Sequence, residues 1–250
     1  MTGTTLALIG ATGGAGTTRL AVEFAGTLAR AGRDVAVIDA AFETQGLRRY
    51  VDERPNPDLT AALLEEHPPG SAFLSPDLQV PGSMSVAPAS APFERLARAK
   101  TAGAARALEG EIGAAARDQD VVLVDTPPLA ANQAVAAVSA ADRVAIVAPD
   151  TPRGRDGLAL CRGRVRDVGD SVDAVFGTQL GGRVHEGDGL QAPHATVPPL
   201  PGGPGRSPTT VDPTAPGAEA VAAALEPALD IQIEPPTDSG SALGGFLPGN

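Results

Sequence analysis

The sequence predicts an α/β fold in which a mostly parallel β-sheet carries helices on both faces. Short apolar runs alternate along the chain with segments of helical spacing, which is the pattern of repeated strand–helix–strand units. Hydrophobic residues make up 42% of the chain but aromatic residues only 3%, so small aliphatic side chains must fill the core. Such side chains suit buried parallel strands with helices packed against them.

The first of these units is the clearest. An apolar run over residues 6–9 predicts a strand, and a helical pattern follows over residues 17–30. A second apolar run over residues 35–38 ends in Asp39 and predicts the next strand. A glycine-rich turn joins the first strand to the helix, so the region forms a complete strand–helix–strand unit.

The rest of the chain repeats this pattern less regularly. It predicts strands over 85–87, 121–125, 144–147 and 172–176, and helices over 59–64, 92–117, 156–168 and 218–229. The periodicity fades into a Gly- and Pro-rich segment over about 181–215. We expect one folded domain over residues 1–230 and a disordered tail over 231–250.

Composition narrows the classes of function. The net charge of -11 disfavours general attraction to nucleic acid or anionic lipid, so any such contact would be local. Cys161 is the sole cysteine, which excludes an intramolecular disulfide and a cysteine-based metal site. With no signal-like leader and no apolar stretch of about 18 residues, we expect a cytoplasmic protein. The acidic composition with a sole lysine, Lys100, is typical of a salt-adapted, halophilic organism.

The turn after the first strand has the composition of a phosphate-binding loop. It reads Gly10-Ala11-Thr12-Gly13-Gly14-Ala15-Gly16-Thr17-Thr18. Glycines let the backbone fold tightly, so that successive N–H groups and the helix N-terminus face an anion. An intact loop reads G-x-x-x-x-G-K-[ST]. Gly16 and Thr18 are in place, but Thr17 occupies the lysine position.

The turn resembles the deviant Walker A motif of the ParA/MinD family of P-loop ATPases, K-G-G-x-G-K-[ST]. Thr12 and Thr17 stand at the two lysine positions, so the motif is degenerate. Further landmarks of the family follow in order over about residues 4–200, including Asp39 and the Asp125-Thr126-Pro127-Pro128 segment. The resemblance implies a P-loop NTPase architecture and weakened binding of ATP or ADP with Mg²⁺. It assigns nucleotide binding to Gly13, Gly14, Ala15, Gly16, Thr17 and Thr18.

The resemblance also implies that catalytic groups are missing. The family has a D-x-D motif on its second strand, and its water-positioning aspartate falls here on Ala41. Glu43 lies two residues further on and is a candidate substitute. Threonine hydroxyls donate hydrogen bonds but supply no charge to the transferred phosphoryl group. Arg19 follows the loop but should point away from the phosphates. We therefore expect hydrolysis to be very slow or absent.

Three residues predict a magnesium site at the carboxyl end of the sheet: Thr18, Asp39 and Asp125. In the family, the counterpart of Thr18 donates its hydroxyl oxygen to Mg²⁺ and the counterpart of Asp125 holds the metal through water. Alternatively, Thr18 caps the first helical turn, and the two aspartates end their strands with hydrogen bonds to loop N–H groups.

A stripe of arginines is a candidate contact for DNA. Arg155, Arg162 and Arg166 fall on one face of the helix predicted over 156–168, and ParA-like proteins bind DNA through surface basic residues. The alternative is a solvated face in which Asp156 and Asp167 pair with the arginines.

Two further expectations come from the family. The resemblance implies a homodimer, or a heterodimer with an intact family member, although the lysine missing at Thr12 is the one that reaches into the partner's site. MinD relatives bind membranes through a basic amphipathic helix, whereas the tail over 239–250 is uncharged. We therefore expect no direct membrane binding. The stretch over 194–198 resembles the strand and V-P turn near the adenine in the family.

The sequence thus favours a nucleotide-binding pseudo-ATPase that regulates intracellular positioning, partitioning or cell organisation. The alternative is an interaction scaffold that no longer binds nucleotide. A third reading is an active ATPase whose catalytic groups are replaced by others.

Overall fold

The computed structural model describes residues 2–64, 67–178, 190 and 193–230. The strands are Thr4–Gly10 (β1), Asp34–Asp39 (β2), Ser83–Ala87 (β3), Val121–Thr126 (β4), Arg143–Pro149 (β5), Ala174–Thr178 (β6) and Ala195–Val197 (β7). The helices are Thr17–Arg30 (α1), Leu59–Leu64 (α2), Phe93–Ala99 (α3), Ala102–Asp118 (α4), Asn132–Ser139 (α5), Pro152–Asp167 (α6) and Ala218–Leu229 (α7). Two 3₁₀ helices cover Gly46–Tyr50 and Pro204–Arg206.

The seven strands form one sheet in the order β3-β2-β4-β1-β5-β6-β7, and every neighbouring pair is parallel. This confirms the predicted α/β class. Because the strands are parallel, the carboxyl ends of β1, β2 and β4 lie together at one edge of the sheet. The turn after β1 therefore lies beside the last residues of β2 and β4.

Helices cover both faces of the sheet, as the sequence predicts. Leu6 and Leu8 face α1 and α7 in one core cluster, whereas Ala7 and Ile9 face the opposite side. The core consists mainly of aliphatic residues, and its one ring pair is Phe24 with Phe176, edge to face at 5.7 Å between centroids, among the residues that the structure describes. Successive aliphatic residues of a strand thus pack alternately into the cores on the two faces of the sheet.

Several predicted elements need correction. The single helix predicted over 92–117 is two helices, α3 and α4, because Thr101 starts a new helix by accepting a hydrogen bond from the N–H of Ala104. Helix α5 was not predicted, and β6 begins two residues later than expected, at Ala174. The helix predicted over 218–229 is confirmed as α7. The tail predicted over 231–250 lies outside the described residues.

Part of the Gly- and Pro-rich segment is held tightly against α1. The carboxylate of Glu23, which is fully buried, accepts hydrogen bonds from the N–H groups of Thr209 at 3.1 Å and Thr210 at 2.9 Å. Arg19 donates its Nε to Glu23 at 2.7 Å and its Nη2 to the carbonyl of Pro201 at 2.8 Å. We call this arrangement the Arg19–Glu23 clamp. It fixes a segment that has little regular structure of its own.

No helix in the part of the chain that the structure describes has both the length and the apolar character needed to cross a bilayer.

Candidate functional site

A cavity of about 520 Å³ opens at the carboxyl edge of the sheet. The turn between β1 and α1 forms one wall, and the first 3₁₀ helix and the segment after β4 form the others. The residues that line it are Gly10, Thr12, Gly13, Gly14, Ala15, Gly16, Thr17, Thr18, Arg19, Thr44, Gly46, Arg49, Tyr50, Asp125, Thr126, Pro127, Pro128 and Pro204. The six residues that the sequence assigns to nucleotide binding are all in this set.

The backbone of the turn has the shape of a cradle. Gly14 and Gly16 have φ angles of 76° and 88°, in the left-handed region that favours glycine. A Cβ atom on Gly13 or Gly14 would meet nothing within 4 Å, so these residues face open space. Gly16 is the N-cap of α1, and no side chain caps the helix there. The first N–H groups of α1 are therefore available to an anion in the cavity.

Two contacts fix the turn to the sheet. Thr17 is buried, and its Oγ1 lies so near Gly10 that a Cβ at that position would come within 2.8 Å of it. Thr178, at the end of β6, donates its hydroxyl to the carbonyl of Ala15 at 2.8 Å. The turn is thus held in its cradle shape by contacts within the protein. Its threonines at the lysine positions leave it without a positive charge of its own.

Thr18 and Asp125 are joined directly. The Thr18 hydroxyl donates to Oδ2 of Asp125 at 2.6 Å, and the lone pairs of its oxygen stay free for a cation. Asp125 is buried, which raises its pKa to about 6, while the hydrogen bond from Thr18 lowers the pKa in part. A bound cation would favour the ionised carboxylate.

Asp39 lies beside Asp125 but does not line the cavity. Its carboxyl accepts hydrogen bonds from the N–H of Ala41 at 3.0 Å and of Ala89 at 3.4 Å, and from the N–H of Leu47. Burial, and then the neighbouring Asp125, raise the pKa of Asp39 well above its usual range. Asp39 thus lies at the end of its strand and accepts hydrogen bonds from loop N–H groups, as expected under the alternative to a magnesium site. Its role as a metal ligand stays a prediction.

Glu43, the candidate substitute for the water-positioning carboxylate, contacts residues outside the cavity. Ala41 is buried and carries no polar group. Glu43 forms an ion pair with Lys100 at 2.6 Å and accepts a hydrogen bond from Gln133 at 3.1 Å. It is not among the residues that line the cavity. Arg19 lines the cavity, but its guanidinium is engaged in the Arg19–Glu23 clamp, so whether it points away from the phosphates stays a prediction.

Arg49 and Tyr50 are among the lining residues that were not predicted from the sequence, together with Thr44, Gly46 and Pro204. Arg49 and Tyr50 lie on the first 3₁₀ helix, where the only sequence signal is a basic and aromatic run after a buried leucine. A second cavity of about 290 Å³ adjoins the first and shares Gly16, Arg19, Tyr50 and Pro204 with it. Its apolar lining comes from Leu20, Val197, Pro198 and Leu200. The stretch expected near the adenine therefore contributes to this second cavity.

The predicted arginine stripe lies elsewhere. Arg155, Arg162 and Arg166 are all on α6, and Arg162 and Arg166 are exposed. None of the three lines either cavity. The structure therefore separates the stripe from the candidate site, and a contact with DNA stays a prediction.

The residues present fit a nucleotide with Mg²⁺. The cradle offers backbone N–H groups, Thr18 offers a hydroxyl oxygen already oriented by Asp125, and an apolar cavity adjoins on the side of Pro198. A phosphate chain needs the first two features and a base needs the third.

Comparisons with known proteins agree with the fold. Residues 3–175 match the family model described as an AAA domain. No curated protein sequence matches the chain. Among solved structures, the chain is similar to the cell division ATPase MinD of Pyrococcus furiosus, with a TM-score of 0.72 and 17% identity over 90% of this chain and 98% of that one.

Two further structures are similar. The septum site-determining protein MinD complexed with Mg-ADP from Pyrococcus horikoshii has a TM-score of 0.70 and 16% identity, over 89% of this chain and 94% of that one. A chain of the MinC:MinD cell division protein complex of Aquifex aeolicus has a TM-score of 0.69 and 20% identity, over 92% of this chain and 97% of that one. At sequence identities of 16–20%, these similar structures show only that the fold is shared. Membership of a family is shown by the family model, which matches more than half of the chain. The chain belongs to the ParA/MinD-like family of P-loop ATPases.

Proposed function

We propose that this chain binds ATP or ADP with Mg²⁺ in a weakened site and acts as a pseudo-ATPase regulator. The observation that carries the proposal is the Thr18–Asp125 hydrogen bond of 2.6 Å next to the glycine cradle at the start of α1. The cradle leaves the first N–H groups of α1 uncapped beside this hydrogen bond, so phosphate and metal could be held side by side. Gly13, Gly14, Ala15, Gly16, Thr17 and Thr18 would hold the phosphates through N–H groups and hydroxyls.

Mg²⁺ would be held by the Thr18 hydroxyl oxygen, with Asp125 acting through water and Asp39 behind it. When bound, the ion offsets the charge of the phosphates and orients them. The chain's own contribution is to aim Thr18, since its hydroxyl is committed to Asp125 as a donor and leaves its oxygen facing the cavity. The base would occupy the adjoining apolar cavity beside Val197 and Pro198.

Loss of hydrolysis follows from the groups that surround this site. Thr12 and Thr17 replace two ammonium groups, and Ala41 replaces the carboxylate that positions water in the family. Each charged partner of a transferred phosphoryl group commonly contributes a few kcal/mol to its stabilisation. Glu43 is held by Lys100 and Gln133, which supports the proposal that no carboxylate replaces the missing one.

The biological role we propose is in intracellular positioning, partitioning or cell organisation, since the similar structures include cell division proteins. A homodimer, or a mixed dimer with an intact relative that supplies the missing lysines, is the form in which such a regulator would act. Arg155, Arg162 and Arg166 are the proposed DNA contact, and direct membrane binding is not part of the proposal.

A second candidate function is an interaction scaffold that binds no nucleotide. The environment of Asp39 favours the scaffold function. Its carboxyl is fully buried and accepts hydrogen bonds from three backbone N–H groups, and burial raises its pKa. A carboxyl in that setting stabilises the fold without any ligand.

Titration with a fluorescent ATP analogue, with and without Mg²⁺ and in high salt, separates the two functions. Saturable binding that requires Mg²⁺ and is lost in Thr18→Val supports the proposal, because valine keeps the shape of threonine and removes its oxygen. Thr44→Val is the matched control, since Thr44 lines the cavity and donates to Ala41 rather than to Asp125. Failure of the wild-type chain to bind ATP or ADP at millimolar concentration would establish the scaffold instead.

A further inference from the structure

The proposed ligand is a polyanion, but the turn that would receive it is neutral. Thr12 and Thr17 replace the two lysines of the family motif, and Asp125 adds a negative charge to the same cavity when it is ionised. Backbone N–H groups and one divalent ion leave part of a triphosphate's charge unmatched. A positive group from another element of the chain would offset part of that charge.

Two cationic side chains line the cavity within the described residues, Arg19 and Arg49. Arg19 is already committed. Its Nε pairs with the buried Glu23 at 2.7 Å, and its Nη2 donates to the carbonyl of Pro201 at 2.8 Å. Withdrawing Arg19 toward a ligand would leave the buried carboxylate of Glu23 without its counter-ion, which is costly. Arg19 is thus a structural residue at the rim of the site.

Arg49 is in a different situation. Its side chain is exposed at the cavity wall, and no hydrogen bond or ion pair joins its guanidinium to any other residue that the structure describes. Burial raises the pKa of the adjacent Tyr50 hydroxyl, and the charges of Arg19 and Arg49 partly offset that effect. Arg49 and Tyr50 are neighbours in the chain and both line the cavity.

The backbone that carries Arg49 is well anchored. Leu47 is fully buried in the core, and its N–H is held by the Asp39 carboxyl. Gly46 lies against Thr18 so closely that a Cβ at position 46 would come within 2.9 Å of the Thr18 hydroxyl oxygen. The first 3₁₀ helix is thus fixed relative to both Thr18 and Asp39, and Arg49 on this helix lines the same cavity as the cradle.

We propose that Arg49 is the phosphate-binding cation of this chain. Arg49 lies in the loop after β2 and would supply the positive charge that the lysines of the turn supply in the family. Its ligand is the β- or γ-phosphate of a nucleoside di- or triphosphate, because a guanidinium presents a planar set of N–H donors that matches phosphate oxygens. This inference rests on the proposed function, since it concerns the same cavity.

The neighbouring Arg48 provides a matched control. It has the same charge on the same 3₁₀ helix, but its Nη1 donates to the carbonyl of Val51 at 2.7 Å and it does not line the cavity. The experiment is equilibrium titration of the full chain with fluorescent ATP and ADP analogues plus Mg²⁺. Wild type, Arg49→Gln, Arg49→Lys and Arg48→Gln are compared at several salt concentrations, and urea unfolding checks that each variant is folded.

Arg49→Gln should weaken ATP binding at least tenfold and flatten the dependence of affinity on salt, since one ionic contact is lost. Arg49→Lys should recover part of the affinity, and Arg48→Gln should bind within about twofold of wild type. Wild-type affinity in Arg49→Gln would overturn this inference and leave the proposed function standing. An equal loss in Arg48→Gln and Arg49→Gln would also overturn it, because the 3₁₀ helix as a whole would then be responsible. No binding by wild type would overturn both.

Discussion

Asp39 and Asp125 are direct register partners on the adjacent parallel strands β2 and β4, and both carboxyls are buried. Desolvation raises the pKa of each, and the pair raises the pKa of Asp39 further. Two carboxyls so close together in the interior resist ionisation unless a cation joins them. We therefore expect the free energy of unfolding to depend on pH and on the binding of a cation at this pair.

The first prediction concerns this pH dependence. The folded-state pKa of Asp125 is raised from 3.8 to about 6, so as pH rises between these values the unfolded chain loses the proton first and the folded state loses stability. Stability from this group is present below about pH 4 and lost above about pH 6. Asp125→Asn keeps an acceptor for Thr18 and removes the titration. It should be more stable than wild type at pH 7.5 without Mg²⁺, by roughly 2–3 kcal/mol.

Urea unfolding at pH 4.5 and pH 7.5 measures this difference. Asp167→Asn, at an exposed position on α6, is the control and should follow wild type at both pH values. If Asp125→Asn keeps the full pH dependence of wild type, folding does not raise the pKa of Asp125 and the prediction is wrong.

The second prediction is that the purified chain shows no ATP turnover above background. Thr12, Thr17 and Ala41 leave the transferred phosphoryl group without the charges that stabilise it. Phosphate release from ATP in the presence of Mg²⁺ is the measurement. Multiple turnovers per minute that disappear in Asp125→Ala would contradict the assignment as a pseudo-ATPase.

The third prediction is that charge restores binding before it restores catalysis. Thr17→Lys places an ammonium near the β- and γ-phosphates, a contact worth roughly 1.5–3 kcal/mol. ATP binding should therefore tighten about tenfold or more while turnover stays near background. Measurable hydrolysis should also require Thr12→Lys and Ala41→Asp. Unchanged affinity in Thr17→Lys would mean that the turn no longer accepts phosphate.

The fourth prediction separates Glu43 from the site. Its ion pair with Lys100 is more than a third exposed, with side-chain exposures of 35% for Lys100 and 39% for Glu43, so solvent screens it. Glu43→Gln should cost less than about 1 kcal/mol of unfolding free energy and leave ATP affinity unchanged. A loss of nucleotide binding in this variant would place Glu43 in the site after all.

The fifth prediction concerns the Arg19–Glu23 clamp. Glu23→Ala removes the acceptor for the N–H groups of Thr209 and Thr210 and leaves Arg19 without its counter-ion, which should cost about 3–5 kcal/mol. Unfolding by urea measures the cost, and limited proteolysis should show cleavage within residues 201–210. Glu109→Ala, at an exposed position on α4, is the control and should change neither property.

The sequence predicted those parts of the site that depend on local patterns. The glycine turn, the strand ends at Asp39 and Asp125, and their meeting at one edge follow from apolar runs and parallel topology. Arg49 was not predicted, because its position depends on how the loop after β2 packs against Thr18. The helix break at Thr101 was also missed, since an Ala-rich segment has the same helical spacing on both sides of it. The contacts of Glu23 join residues up to 187 positions apart, which no local pattern reveals.

The Arg19–Glu23 clamp also bears on where an independently folding unit can end. The match to the family model ends at residue 175, but a chain cut before Pro201 would retain a fully buried Glu23 with none of its backbone donors. It would also lose α7, whose apolar residues Val221 and Leu225 complete the core beside α1. We therefore expect the minimal folding unit to extend through α7, some fifty residues beyond the end of the match to the family model.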